Sequence, residues 1–261
     1  MKSIDYSQLI STLEKDIRRL GTYVASLVGD VEHSQKTHAY DLLTTIDAEV
    51  EDALKARLAI LDPDTPVVGE ETGGDRSVSR YWLIDPIDGT IHFVRGNHFC
   101  TIMLALIENG IPTASIIYNI TTQEFYSAIK GQGSYKNGVR ISTSTREINQ
   151  AVILMEINIR KPGNLQKFYN LATNTKWMNL ICAGYEFAMI ADGRAEARIC
   201  IDPYGNDYDF AAGSLLVQEA GGVVKTFDGD EYDVTKKDFV VASSSKVYYD
   251  ILTIINEKET T

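Results

Sequence analysis

The sequence predicts a mixed α/β fold built as a layered sandwich, with an antiparallel stretch in its middle. Three observations lead there. Leu9, Ile10, Leu13, Ile17 and Leu20 lie one, three and four residues apart, an apolar stripe at helical spacing. From about 98 to 142, strand-like runs alternate with tight-turn signals. Beyond 150, strand-like and helix-like runs alternate, as in layers that cover one another's apolar faces.

The elements follow in order. Residues 5–28 read as the first helix and 47–61 as the second, with Asp47 as a plausible N-cap and Asp62-Pro63 as the stop. Thr65 to Gly69 reads as a short buried strand leading into Glu70-Glu71, and 79–85 as a strand leading into Asp85-Pro86-Ile87-Asp88-Gly89-Thr90. Thr90 would open a further helix. Strands are expected at 100–107, 112–119 and 123–129, with turns at Asn109-Gly110 and Thr121-Thr122, and a hairpin at Lys136-Asn137-Gly138. Then come strands at 151–157, 176–181, 195–201, 223–225 and 239–242. Helices at 164–174, 184–191, 208–220 and 246–256 are interleaved with them, the third ended by Gly221-Gly222. No internal repeat, low-complexity linker or charge block interrupts the chain.

The 261 residues suffice for one large unit with a sizeable core. A net charge of −11 argues against general affinity for nucleic acid or anionic membrane. Cys100, Cys182 and Cys200 are odd in number and widely spaced, which fits buried free thiols rather than a disulfide framework or a zinc site. The N-terminus lacks the long apolar core of a secretion signal. The longest apolar run, 99–107, is far short of the ~18–20 residues that span a bilayer. A cytoplasmic protein is expected.

Chemistry points to the acids. An ordinary strand-to-helix turn would account for a lone Asp-Gly-Thr. Here Pro86 stiffens the segment, so that Asp85 and Asp88 can converge on one point with the Ile87 carbonyl, while Gly89 leaves room for a ligand near the backbone. Hard oxygen ligands of this kind suit Mg²⁺ together with a substrate phosphate. Glu70 is either a solvated loop residue or, at a strand end, a metal ligand that orients water. Asp47 is either a helix cap or a support for such a water. Asp209 opens a helix whose Ala211-Ala212-Gly213 would allow close packing and hold its carboxylate at a fixed height. The acid-rich stretch 202–213 fails the calcium-loop order, since its twelfth position is Gly213. His33, His38, His92 and His98 lack metal-like spacing.

Taken in order, DLLTTID at 41–47, GEET at 69–72, WLIDPIDGTIHF at 82–93 and YDFAAG at 208–213 make the chain resemble the inositol monophosphatase family, over nearly its whole length. The family belongs to the lithium-sensitive, magnesium-dependent phosphatases that include fructose-1,6-bisphosphatases. The resemblance implies an α-β-α-β-α sandwich, a single unit over 1–261 of two intimate halves (roughly 1–145 and 146–261), a homodimer, and two or three Mg²⁺ per active site. It also implies roles. Glu70, Asp85 and the Ile87 carbonyl would hold one ion, and Asp85, Asp88 and Asp209 another. Glu70 and Thr90, backed by Asp47, would position the attacking water, and the amides of Gly89 and Thr90 would bind phosphate oxygens. The implied activity is Mg²⁺-dependent hydrolysis of a small phosphorylated metabolite, with inositol monophosphate first. The same chemistry on 3′-phosphoadenosine 5′-phosphate, fructose 1,6-bisphosphate, NADP or histidinol phosphate is an alternative, as is a regulatory protein on the scaffold.

The chain departs from the family around the substrate. Ile181-Cys182-Ala183-Gly184 stands where Gly-Ser-Ala-Ala is frequent, and the 201–207 stretch is about two residues longer. Tyr208 replaces a Trp, and His92 an Asn. Ala183 and Asp202 are the candidates on this side, with Asp202 expected to meet substrate hydroxyls.

Overall fold

The computed structural model describes residues 5–35 and 42–257, so Asp41 and His38 lie outside the described part. The main sheet has seven strands in chain order: β3 (Val67–Gly69), β4 (Arg80–Asp88), β5 (Thr101–Glu108), β6 (Ile111–Asn119), β7 (Phe125–Ile129), β8 (Gly133–Lys136) and β9 (Val139–Arg140). Only the β3–β4 pair is parallel, and the rest is an antiparallel meander. The second sheet has the order β11 (Lys176–Met178), β10 (Val152–Ile157), β12 (Ala197–Ile201), β14 (Phe239–Ala242), β13 (Val223–Thr226). A short ribbon, β1 (His33–Gln35) with β2 (Leu42–Thr44), precedes them.

Alternation along the strands builds the layers, because successive side chains leave a strand on opposite faces. Trp82, Ile84, Ile102, Leu104 and Leu106 pack under helices α1 (Tyr6–Ala25) and α2 (Thr45–Leu61). Their neighbours Leu83, Met103, Ala105 and Ile107 face the other way. They pack with α5 (Ala183–Ala191), α6 (Asp207–Glu219) and the inner face of the second sheet. That sheet's outer face, including Ile153, Ile199 and Val240, is covered by α4 (Asn164–Asn174) and α7 (Ser245–Ile255). The result is the expected five-layer α-β-α-β-α sandwich. Residues 210–217 of α6 are all buried, as a helix between two sheets must be. A Cβ on Gly213 would stand 2.1 Å from the Phe187 ring, so α5 and α6 meet at a distance only glycine permits.

Three differences from the sequence reading bear on the site. Asp47 is not the N-cap of α2. Thr44 caps the helix, and Asp47 sits three residues on, closing a capping box. β11 stops at Met178, and Ile181 takes a positive φ of 52°. Most consequentially, β4 does not end at Asp85 but runs on to Asp88.

Candidate active site

The continuation of β4 explains how two acids three residues apart meet. Asp85 pairs with Met103 and Asp88 with Thr101, so three steps on β4 match two on β5. The extra residue is a β-bulge, at Pro86-Ile87, where a missing N–H is tolerated. In a regular strand, residues three apart face opposite ways. The bulge restores Asp88 to the face of Asp85, while Ile87 is turned into the α1/α2 core. Asp88 is 6% exposed and receives four donors: the Ala183 amide (3.1 Å), the Gly184 amide (2.7 Å), the Thr101 hydroxyl (3.0 Å) and the Cys182 thiol (3.1 Å). It is thus tied to the start of α5.

Gly89 follows at φ 79°, and a Cβ there would lie 2.5 Å from the Phe99 carbonyl. It caps α3 (Thr90–Arg95), the expected short helix. The Thr90 hydroxyl lies 2.9 Å from the Ile87 carbonyl and 3.4 Å from Oδ1 of Asp47. The other oxygen of Asp47 accepts from the Thr44 amide (2.8 Å) and hydroxyl (2.6 Å). The buried Asp47 therefore both closes a helix cap and reaches Thr90.

Glu70 follows β3, and its amide donates to the Ile84 carbonyl at 3.0 Å, which lays it beside Asp85. Asp209 comes from the far end of the chain, at the start of α6, where its Oδ2 accepts the Asn206 amide at 2.6 Å. One carboxylate oxygen from each of Asp85, Asp88 and Asp209 falls within 4.8 Å of the others. Oδ1 of Asp85 is buried with no hydrogen-bond partner. Burial and the neighbouring Glu70, Asp88 and Asp209 push the Asp85 carboxyl well above the usual range. Asp209 is driven up by burial first, then by Asp88 and Glu70. Burial also raises Asp88, against the pull of its four donors. Like charges crowded with an orphaned buried oxygen are the donor set of a hard divalent cation, and the residues present fit Mg²⁺.

These acids open into a cavity of about 770 Å³ that Ile87, Gly89, Thr90, Cys182 and Ala183 also line. Ala183 is in place, but its amide is committed to Asp88. Asp202 is not on the wall. It takes a positive φ of 47°, and its carboxylate binds Lys161 (2.5 Å) and Asn164 (2.8 Å), a pair of donors that holds it below the usual range. The cavity lining that it was expected to join carries instead a network the sequence reading missed. Arg198, 3% exposed in its side chain, binds Glu186 (2.8 Å) and Glu156 (2.5 Å) between the rings of Phe187 and Phe210. Glu156 also accepts the Tyr204 (2.9 Å) and Gly205 (3.0 Å) amides, so it fixes the loop before Asp209. A lone arginine inside the apolar strand ARICI was the signal that could have found it. All three cysteines are buried and free, as expected.

A carboxylate nest beside a threonine hydroxyl, at the mouth of a layered α/β sandwich, defines a phosphoric monoester hydrolase. The sequence profile of the inositol monophosphatase family matches residues 5–259, and the chain belongs to that family. It is 28% identical to inositol monophosphatase 1 of Solanum lycopersicum over 84% of this chain and 85% of the relative. A solved Thermotoga maritima IMPase superposes with a TM-score of 0.85 at 28% identity, covering 95% of this chain and 97% of the other. An IMPase/NADP phosphatase solved with Mg²⁺ and phosphate shares the fold at a TM-score of 0.84 and 22% identity, covering 97% and 96%.

Proposed function

We propose that the protein hydrolyses a small phosphate monoester in a Mg²⁺-dependent reaction, with inositol monophosphate as the leading substrate. The observation that carries this reading is the trio Asp85, Asp88 and Asp209 within 4.8 Å, with Oδ1 of Asp85 buried and without a hydrogen-bond partner. Glu70 and Ile87 complete the proposed ligand set. Bound Mg²⁺ would acidify water and offset the charge of the phosphate. The chain's own groups do the rest. The water donates one proton toward Thr90 Oγ1 and the other to Glu70, which leaves a lone pair for phosphorus. Asp47 steadies Thr90. The amides of Gly89 and Thr90, at the start of α3, receive phosphate oxygens. A new P–O bond forms from the water, the ester P–O bond breaks, and the departing alkoxide takes up a proton.

A second reading keeps the chemistry and enlarges the substrate. Ile181 (64% exposed) and Tyr204 (61% exposed) stand at the cavity rim, an apolar pair suited to an ester bearing a planar ring. A cytoplasmic setting, a homodimer and a single unit of two intimate halves belong to the same proposal. No helix among the described residues is long and apolar enough to cross a membrane. The test is phosphate release from inositol monophosphate, fructose 1,6-bisphosphate, NADP, 3′-phosphoadenosine 5′-phosphate and histidinol phosphate, each with Mg²⁺ and with EDTA. Mg²⁺-dependent release favouring inositol monophosphate is expected. Preference for a ring-bearing nucleotide would select the second reading, and silence on every ester would overturn both.

A further inference from the structure

The acid Glu51 stands outside the cavity and outside the ligand set, yet it is fully buried in the middle of α2. A carboxylate is retained in such a place only when donors surround it. Here they come from the segment after β3 and from the helix itself. Oε2 accepts the Glu71 amide at 2.8 Å, and Oε1 accepts the Thr72 amide at 3.2 Å together with the Thr72 hydroxyl. Lys55, one turn along the helix, adds an ion pair at 2.8 Å and also bonds the Thr72 hydroxyl. The approach is possible because residue 69 has no side chain: a Cβ there would lie 2.2–2.3 Å from the carboxyl atoms of Glu51.

These contacts bracket Glu70. Its own amide is tied to the Ile84 carbonyl of β4, and the next amide is tied to Glu51. Both peptide planes beside its Cα are therefore held. Asp47 lies four residues before Glu51, on the same helix face and about 6 Å away along the axis. That acid reaches Thr90. One rigid helix thus carries two buried carboxylates, one on Thr90 and one on the two residues that follow Glu70.

We propose that Glu51 is a positioning residue for catalysis: through α2 it sets the separation of Glu70 from Thr90. The proposal rests on the phosphatase reading of the site. A side chain that only stabilised a surface loop would lower melting temperature and leave turnover by the folded protein intact. A positioning residue acts on kcat, because a misplacement of about 1 Å can cost about 100-fold in rate while substrate binding persists.

The test compares wild type with Glu51→Gln, which preserves shape but loses the charge held by Lys55, and with Thr72→Val, a milder change that removes one donor. Kinetics with inositol monophosphate are joined by calorimetric titration of Mg²⁺ and by amide exchange across residues 69–73. For Glu51→Gln we expect kcat to fall about 10- to 100-fold with KM held within about threefold, alongside weaker Mg²⁺ binding and faster exchange. Thr72→Val should move the same quantities in the same direction, by less, and it decides the matter if Glu51→Gln does not fold. An unchanged kcat and Mg²⁺ affinity in the folded variants, with wild type active, would overturn this inference alone. A wild type that releases no phosphate from any ester would overturn the phosphatase reading and this inference with it.

Discussion

Replacing Arg198 with methionine tests the electrostatic account of the cavity's far wall. The guanidinium has Glu186 at 2.8 Å, Glu156 at 2.5 Å, the Cys200 sulfur at 2.5 Å, and a phenylalanine ring on each side at 5.1 and 5.3 Å. Methionine can fill the slot between the rings, so the volume is largely kept. The charge is not. Glu186, 3% exposed in its side chain, would keep the Leu180 amide as a donor. Removing one partner of a buried ion pair costs about 3–5 kcal/mol. For a chain of this size that corresponds to a fall in Tm of about 6–20 °C. The pH dependence carries the sharper signature. Burial already pushes the Glu186 carboxyl up, and Arg198 pulls against it. Without Arg198 the folded-state value rises further. An acid with a raised folded-state pKa takes up a proton on folding. It therefore costs stability as pH climbs from its unfolded value, near 4.5, toward the folded one. The deficit of Arg198→Met, followed by circular dichroism in urea, should be smaller at about pH 5 than at about pH 8, and adding Glu186→Gln should recover most of it. A deficit below about 1 kcal/mol, or one identical at both pH values, would refute the assignment of Arg198 as the counter-charge of the wall.

Two further outcomes follow from the metal acids. Burial raises Asp85, Asp88 and Asp209, and neighbouring acids raise Asp85 and Asp209 further, so without a cation they oppose folding increasingly as pH rises above their unfolded values near 3.8. The increase in Tm given by saturating Mg²⁺ should therefore grow between about pH 5 and pH 8, and calorimetry showing the reverse trend would contradict the shared site. Asp88→Asn should abolish measurable phosphate release. Asp88 is buried under four donors rather than open to solvent, and an amide would turn a donor toward one of them, so a stability loss of about 1–3 kcal/mol in urea melts should accompany it.

Much of this was legible in the residues, for identifiable reasons. The strand and turn alternation over 98–142 became a meander because β5, β6 and β7 each have one face for α1/α2 and one for the α5/α6 side. The Ala-Ala-Gly after Asp209 became the close contact with Phe187. The acids were found because each interrupts an apolar run. What escaped was set by three-dimensional bookkeeping. Asp47 looked like a cap by position, but Thr44, three residues earlier, competes for that place and wins through its hydroxyl. Asp202 had the right chemistry and the wrong orientation, since a positive φ sends it to Lys161. Glu51, Glu156 and Glu186 read as ordinary helix or strand acids, because nothing local says that a distant amide or guanidinium will close over them.

The extra residue in β4 makes the meeting of Asp85 and Asp88 a matter of register. In a pleated strand, facing is a matter of odd and even. Asp85 and Asp88 share a face only because the odd interval between them is offset by the one unmatched residue. With the same three-residue interval but no unmatched residue, strict alternation would swing Asp88 toward the apolar layer beneath α2. No gradual series of intermediates connects the two arrangements. The pairing is a discrete choice of register: Asp88 either joins the carboxylate nest or faces the apolar layer, with no position between.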